Sequence, residues 1–119
     1  MSERPVLQPT AEHPITVTPT GRHVTVSVDG TVVAETDRAV TLQEASYPAV
    51  QYIPLADVQP AALVRSETTS YCPYKGEASY YHAAGVQDAV WAYEQPYPAV
   101  AEIAGTVAFY PDKAQITLS

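Results

Sequence analysis

The sequence predicts an all-β fold, and three observations carry that reading. From Ile15 onward β-branched residues and tyrosine alternate with polar residues. Turn signals interrupt the alternation about every 8–12 residues, the spacing of short antiparallel strands. Helix-compatible runs are scarce. At 119 residues with 46% hydrophobic and 16% charged side chains, the chain suits one domain with a self-sufficient core.

Residues 1–14 are polar and carry Pro5, Pro9 and Pro14, which reads as a flexible N-terminal arm ahead of a single β domain over 15–119. The clearest element follows. Val24, Val26 and Val28 alternate with Thr25, Ser27 and Asp29, and Asp29-Gly30 supplies a two-residue turn with positive φ. Pairing across it sets Val28 opposite Thr31 and Val26 opposite Val33, with Val26 and Val28 on a buried face. Further strands are expected at 39–44, 50–53, 62–66, 68–72, 78–83, 86–93, 106–110 and 115–118. Pro98 can open a short helix that Gly105 closes, about two turns long, and residues 55–58 suit a single turn. Tyr47-Pro48-Ala49-Val50 recurs as Tyr97-Pro98-Ala99-Val100, compatible with two similar half-sheets.

Charge narrows the partners. A net charge of −7 with six scattered basic residues disfavours phosphate backbones and anionic membranes, so neither nucleic acid nor a membrane is expected as partner. One cysteine and three separated histidines make a poor metal site, and no cofactor is implied. The first residues lack the pattern of a signal peptide and no apolar run suits a bilayer, which makes the cytoplasm the expected compartment.

The segment Thr68–Tyr81 reads as strand, turn, strand. No core requirement alone asks for Cys72-Pro73-Tyr74-Lys75-Gly76 in one place. With Lys75-Gly76 as a two-residue turn, Cys72 faces Ser79, Thr69 faces His82, and Tyr71 pairs with Tyr80. Cys72 and His82 then lie on opposite faces, which argues against a cysteine–histidine dyad. Cys72 suits packing as a small hydrophobe, and Lys75 is either solvated at its tip or an anchor in a site. Trp91 and Tyr93 share one face of their strand while Val86, Val90 and Ala92 share the other. That strand is either sandwiched or lines a cleft. Tyrosines at strand positions also serve as core and rim packing.

Cys72-Pro73-Tyr74-Lys75-Gly76-Glu77-Ala78-Ser79-Tyr80, then Ala89-Val90-Trp91-Ala92-Tyr93 and Gly105-Thr106-Val107-Ala108-Phe109-Tyr110, resemble the domain-of-unknown-function family 427. Glu44-Ala45-Ser46-Tyr47-Pro48 and Tyr52-Ile53-Pro54 resemble it too, so the likeness spans roughly residues 23–112. It implies a β-tent-like domain of two antiparallel sheets with one or two short helices. Some members of that wider fold group bind zinc on two cysteine pairs; with a single cysteine, zinc does not carry over. The family also bears a nucleotidyltransferase label. Covalent nucleotidyltransferases use a Lys-x-Asp-Gly setting, whereas Lys75 precedes Gly76-Glu77, and the paired aspartates of metal-dependent ones are not evident.

The functional expectation is a domain that binds a small anionic or carbonyl-bearing molecule in an aromatic cleft. Tyr52, Tyr74, Tyr80, Trp91, Tyr93 and Tyr110 would be its walls, Cys72 would pack beside it, and Lys75 with the backbone at Gly76 would anchor the ligand. Two alternatives stand beside it: an enzyme using Lys75 or Cys72, and a structural or protein-interaction module.

Overall fold

The structure, a computed structural model, describes residues 4–119; the arm's residues 1–3 lie outside the described residues. Strands β1 (Ile15–Pro19), β2 (Val24–Val28), β3 (Thr31–Thr36), β4 (Val40–Glu44) and β5 (Val50–Pro54) come first. β6 (Leu63–Cys72), β7 (Gly76–Ala83), β8 (Val86–Ala92), β9 (Thr106–Phe109) and β10 (Gln115–Leu118) follow. They form two antiparallel sheets, of order β1-β4-β5-β9-β8-β7-β6 and β10-β2-β3. β1 is an addition to the expected set, its Ile-Thr-Val-Thr pattern pairing with β4. Among the described residues the short helices number three, all 3-10: Leu55–Asp57, Pro60–Ala62 and Pro98–Ile103, the last interrupted at Val100. The Tyr-Pro-Ala-Val echo has no structural counterpart, since one copy leads into β5 and the other into a 3-10 segment.

The Asp29-Gly30 turn forms with φ of 49° and 82°. Its register differs from the expected one beyond the first pairs: Val28 faces Thr31, Ser27 faces Val32, and Val26 faces Ala34. A bulge absorbs one residue, which buries the consecutive pair Val33 and Ala34 while Val32 stays 48% exposed. Val26 and Val28 are buried, as their alternation predicts.

The two strands expected at 62–66 and 68–72 are one strand, β6, with residues 66–68 bulging opposite a single residue of β7. A second bulge places residues 87–89 of β8 opposite His82. There Asp88 takes a φ of 49° and its amide donates to His82 Nδ1 at 3.0 Å, so His82 satisfies a backbone group the ladder leaves free.

Two clusters of buried side chains use the two faces of the seven-stranded sheet. Val24, Val26 and Val28 of the smaller sheet pack with Val90, Ala92, Val107 and Phe109. On the other face Leu42, Tyr52, Ala78, Tyr93 and Ala108 meet Val100 and Ile103, with Trp91 and Tyr80 partly buried beside them. β8 is thus covered by the smaller sheet on its Val90 side, and its Trp91 side faces the second cluster.

Candidate functional site

Cross-strand partners share a face, and the registers gather one set of aromatics. Leu42 faces Val50, Val40 faces Tyr52, Tyr80 faces Trp91, and Trp91 faces Ala108. Two residues past Ala108, Tyr110 comes to the same face. The side chains enclose a cavity of about 240 Å³, walled by Tyr52, Tyr80, Trp91, Tyr93 and Tyr110, with Tyr47 at its rim and Glu44 and Lys75 supplying charge.

The aromatic wall is internally braced. The Trp91 indole N–H donates to the Tyr52 hydroxyl at 3.3 Å, and those rings meet edge to face at 6.3 Å. Trp91 lies 4.4 Å from Tyr110 between centroids, and Tyr110 is stacked parallel to Tyr80 at 6.5 Å. The Tyr80 and Ser70 hydroxyls share a 2.8 Å hydrogen bond. Burial pushes the Tyr52 hydroxyl up to about 12 and raises those of Tyr93 and Tyr110 further. Each phenol therefore keeps its proton and has an O–H available to donate.

Lys75 ends a loop one residue longer than the two-residue turn expected from the sequence. Cys72 pairs with Gly76, Tyr71 with Glu77 and Thr69 with Ser79, so Pro73-Tyr74-Lys75 is a three-residue loop. The register expected from a Lys75-Gly76 turn is corrected throughout, including the Tyr71–Tyr80 pair. With the corrected register Cys72 and His82 share a face; six residues of strand, about 20 Å, still separate them. The loop is pinned on both sides, Lys75 N donating to Cys72 O at 3.2 Å and Tyr97 N to Lys75 O at 3.0 Å. Gly76 closes it at φ +112°, a conformation that residues with a Cβ rarely adopt.

This geometry buries Lys75, whose side chain is 10% exposed, so it is not solvated at its tip. Its ammonium donates to Glu44 Oε1 at 2.5 Å and lies 6.0 Å from the centre of the Tyr93 ring. Cys72 Sγ is 3.9 Å from Nζ and is not part of the cavity lining. Glu44 Oε2 is 2.7 Å from His13 Nε2. Burial alone pushes the Glu44 carboxyl up, but Lys75 and His13 together outweigh it and hold the group below its ordinary value.

Of the residues expected at the site, Tyr52, Lys75, Tyr80, Trp91, Tyr93 and Tyr110 line this cavity. Tyr74 does not; its ring stacks on His13 at 4.3 Å. Gly76 borders a separate polar hollow with Arg4, Glu77 and Glu94. Sequence reasoning missed Glu44, Tyr47 and His13 as site residues. Glu44 ends a strand 31 residues before Lys75, and no local spacing links them. His13 belongs to the arm, whose residues 4–14 lie along the β6–β7 turn: Leu7 N donates to Pro73 O and the Tyr71 hydroxyl to Pro5 O. Among the described residues no group of three or more His, Cys, Asp or Glu side chains is arranged to hold a metal ion. No described helix is long and apolar enough to cross a membrane.

A two-sheet antiparallel domain with an aromatic cavity closed by a lysine–glutamate pair is the class these features define. The chain belongs to the family described as domain of unknown function DUF427, whose pattern it matches over residues 16–119. No curated protein matches it.

Proposed function

We propose that the domain binds a compact carbonyl-bearing molecule in this cavity. The observation that carries the reading is a buried ion pair on the wall of an aromatic cavity. Burying Lys75 and Glu44 costs desolvation that an apolar pair would avoid, so core packing alone gives no reason for it. One Lys75 proton is committed to Glu44, which leaves donor capacity for an acceptor on a ligand. Because Glu44 already neutralises that ammonium, a carbonyl oxygen or a singly charged anion suits the site better than a multiply charged phosphate. Protonated tyrosines supply further donors, and Trp91 and Tyr110 supply ring faces for a planar group.

A covalent role for Lys75 is disfavoured, since an ion-paired ammonium has no lone pair with which to attack. Nucleotidyl transfer gains no support from the residues around Lys75, which include a single carboxylate. The proposed setting is the cytoplasm, where a lone free thiol such as Cys72 stays reduced.

Trp91 is the only tryptophan, so its emission reports on the cavity directly. Titration with a panel of small amides, lactams, ketones and carboxylates should give saturable changes for some members. Lys75→Ala should weaken that binding by about 10–100-fold, the scale of one hydrogen bond to a charged group, while Cys72→Ser changes it little. A panel without effect on Trp91 argues against the reading. Turnover that Cys72→Ser abolishes in folded protein replaces it with the enzyme alternative.

A further inference from the structure

His13 occupies a slot with recognisable chemistry. Its imidazole lies parallel to the Tyr74 ring, planes 10° apart and centroids 4.3 Å apart, and meets Tyr47 edge-on at 6.2 Å. Its Nε2 bonds Glu44 Oε2 at 2.7 Å. A stacking face, an aromatic edge and a carboxylate acceptor thus hold a planar nitrogen ring. Lys75 occupies the other oxygen of the same carboxylate, and Glu44, Tyr47 and Lys75 all line the cavity. The slot and the cavity are therefore one carboxylate apart.

The segment carrying His13 is lightly attached. Residues 4–14 hold no helix or strand, and Val6 and Leu7 are about half exposed. Its ties beyond His13 are the exposed Arg4–Glu77 ion pair, Arg4 lying over the Tyr71 ring, the hydrogen bonds at Pro5 and Leu7, and, at the end that joins β1, Ala45 N donating to Pro14 O at 2.8 Å. Exposed ion pairs contribute little to holding a segment down. Release of His13 would leave a part-buried carboxylate and a bare tyrosine face.

We propose that His13 is a built-in occupant of a heterocycle subsite made by Tyr74, Tyr47 and Glu44, and that a planar nitrogen heterocycle with an N–H donor displaces it. A ring bearing a carbonyl beside its N–H, a lactam-type heterocycle, fits best: the N–H donates to Glu44 while the carbonyl accepts from Lys75. The proposal rests on the cavity being a ligand site, and adds the ligand's class and the segment that competes with it.

The test removes the occupant. Imidazole is titrated into wild type and His13→Ala by calorimetry, at a pH well above the ordinary histidine range so that the probe is uncharged. N-methylimidazole, which keeps the ring and lacks the N–H, is the control. Imidazole should bind His13→Ala at least about 10-fold more tightly than wild type, and about 10-fold more tightly than N-methylimidazole does. Adding Tyr74→Ala should abolish the gain. Equal affinity of wild type and His13→Ala, with circular dichroism unchanged, overturns the proposal, as does equal binding of the two probes. A readout on wild type needs no variant: uracil, a lactam-type ring, should shift the His13 ring resonances towards those of free histidine, and resonances unmoved by uracil overturn the proposal. Trp91 emission separates the two readings. If imidazole fills the vacated slot but no carbonyl compound moves Trp91, the subsite stands and the carbonyl-binding cavity fails. If carbonyl compounds move Trp91 but His13→Ala gains nothing for imidazole, the cavity stands and the subsite fails.

Discussion

Replacing Lys75 with methionine should destabilise the domain by about 2–3 kcal/mol, and the structure sets that figure. Two unit charges 4 Å apart attract by about 4 kcal/mol at an effective dielectric of roughly 20. Removing one member of a buried pair usually costs about 3–5 kcal/mol, because the survivor remains buried without its counter-charge. Here the cost is smaller: Glu44 keeps its bond to His13, and its side chain is 15% exposed, so water meets part of the loss. Methionine preserves the packing of the lysine stem, which confines the change to the charge. The double variant Lys75→Met/Glu44→Leu should return to within about 1 kcal/mol of wild type, since it removes both desolvation penalties. Urea denaturation at neutral pH measures wild type, both single variants and the double variant, with unchanged slopes certifying the comparison. A Lys75→Met protein within about 0.5 kcal/mol of wild type, the range of ordinary surface changes, would show that the pair behaves as a surface one. A double variant as unstable as the sum of the singles would show that the two charges are not coupled.

Val26 is 1% exposed, so Val26→Ala should cost about 1–3 kcal/mol through lost transfer energy and a residual void; Val32→Ala, at a 48% exposed position, should fall within about 0.5 kcal/mol of wild type, and equal losses at both would contradict the burial of the one and the exposure of the other. Because Glu44 is held below its ordinary 4.5 in the folded protein, its contribution is complete above that value and disappears as pH falls through the depressed one. Melting temperature should therefore drop with acid more steeply in wild type than in Glu44→Gln, and parallel acid limbs would refute the pairing.

The cavity wall was legible where alternation governs. Trp91 on β8 and Tyr93 just past its end are two residues apart, and period-two geometry of the extended chain puts them on one face. Tyr52, Tyr80 and Tyr110 then join them through strand adjacency. The loop at Pro73 was not legible to one residue, because glycine after lysine suits a two-residue turn and equally the end of a longer one. That single residue moved every partner from Tyr71 to Thr69. The bulges at residues 66–68 and 87–89 likewise carry no strong local signal; each depends on a group elsewhere, as Asp88 depends on His82 for its amide.

Sequence by itself determined the strand class, the valine face of the first hairpin, the aromatic composition of the site and the special status of Lys75-Gly76, since each follows from neighbours a few residues apart. Only the tertiary structure decided what Lys75 touches. Glu44 reaches it from the end of β4, and His13 reaches Glu44 from the opposite direction along the chain, 31 residues away in each case. A lysine that local pattern leaves free to be solvated becomes a buried ammonium because the end of β4, with three strands between it and β7 in the sheet order, brings Glu44 against it. Charge pairing across such distances is set by where the strands bring side chains, and no spacing within the chain encodes it.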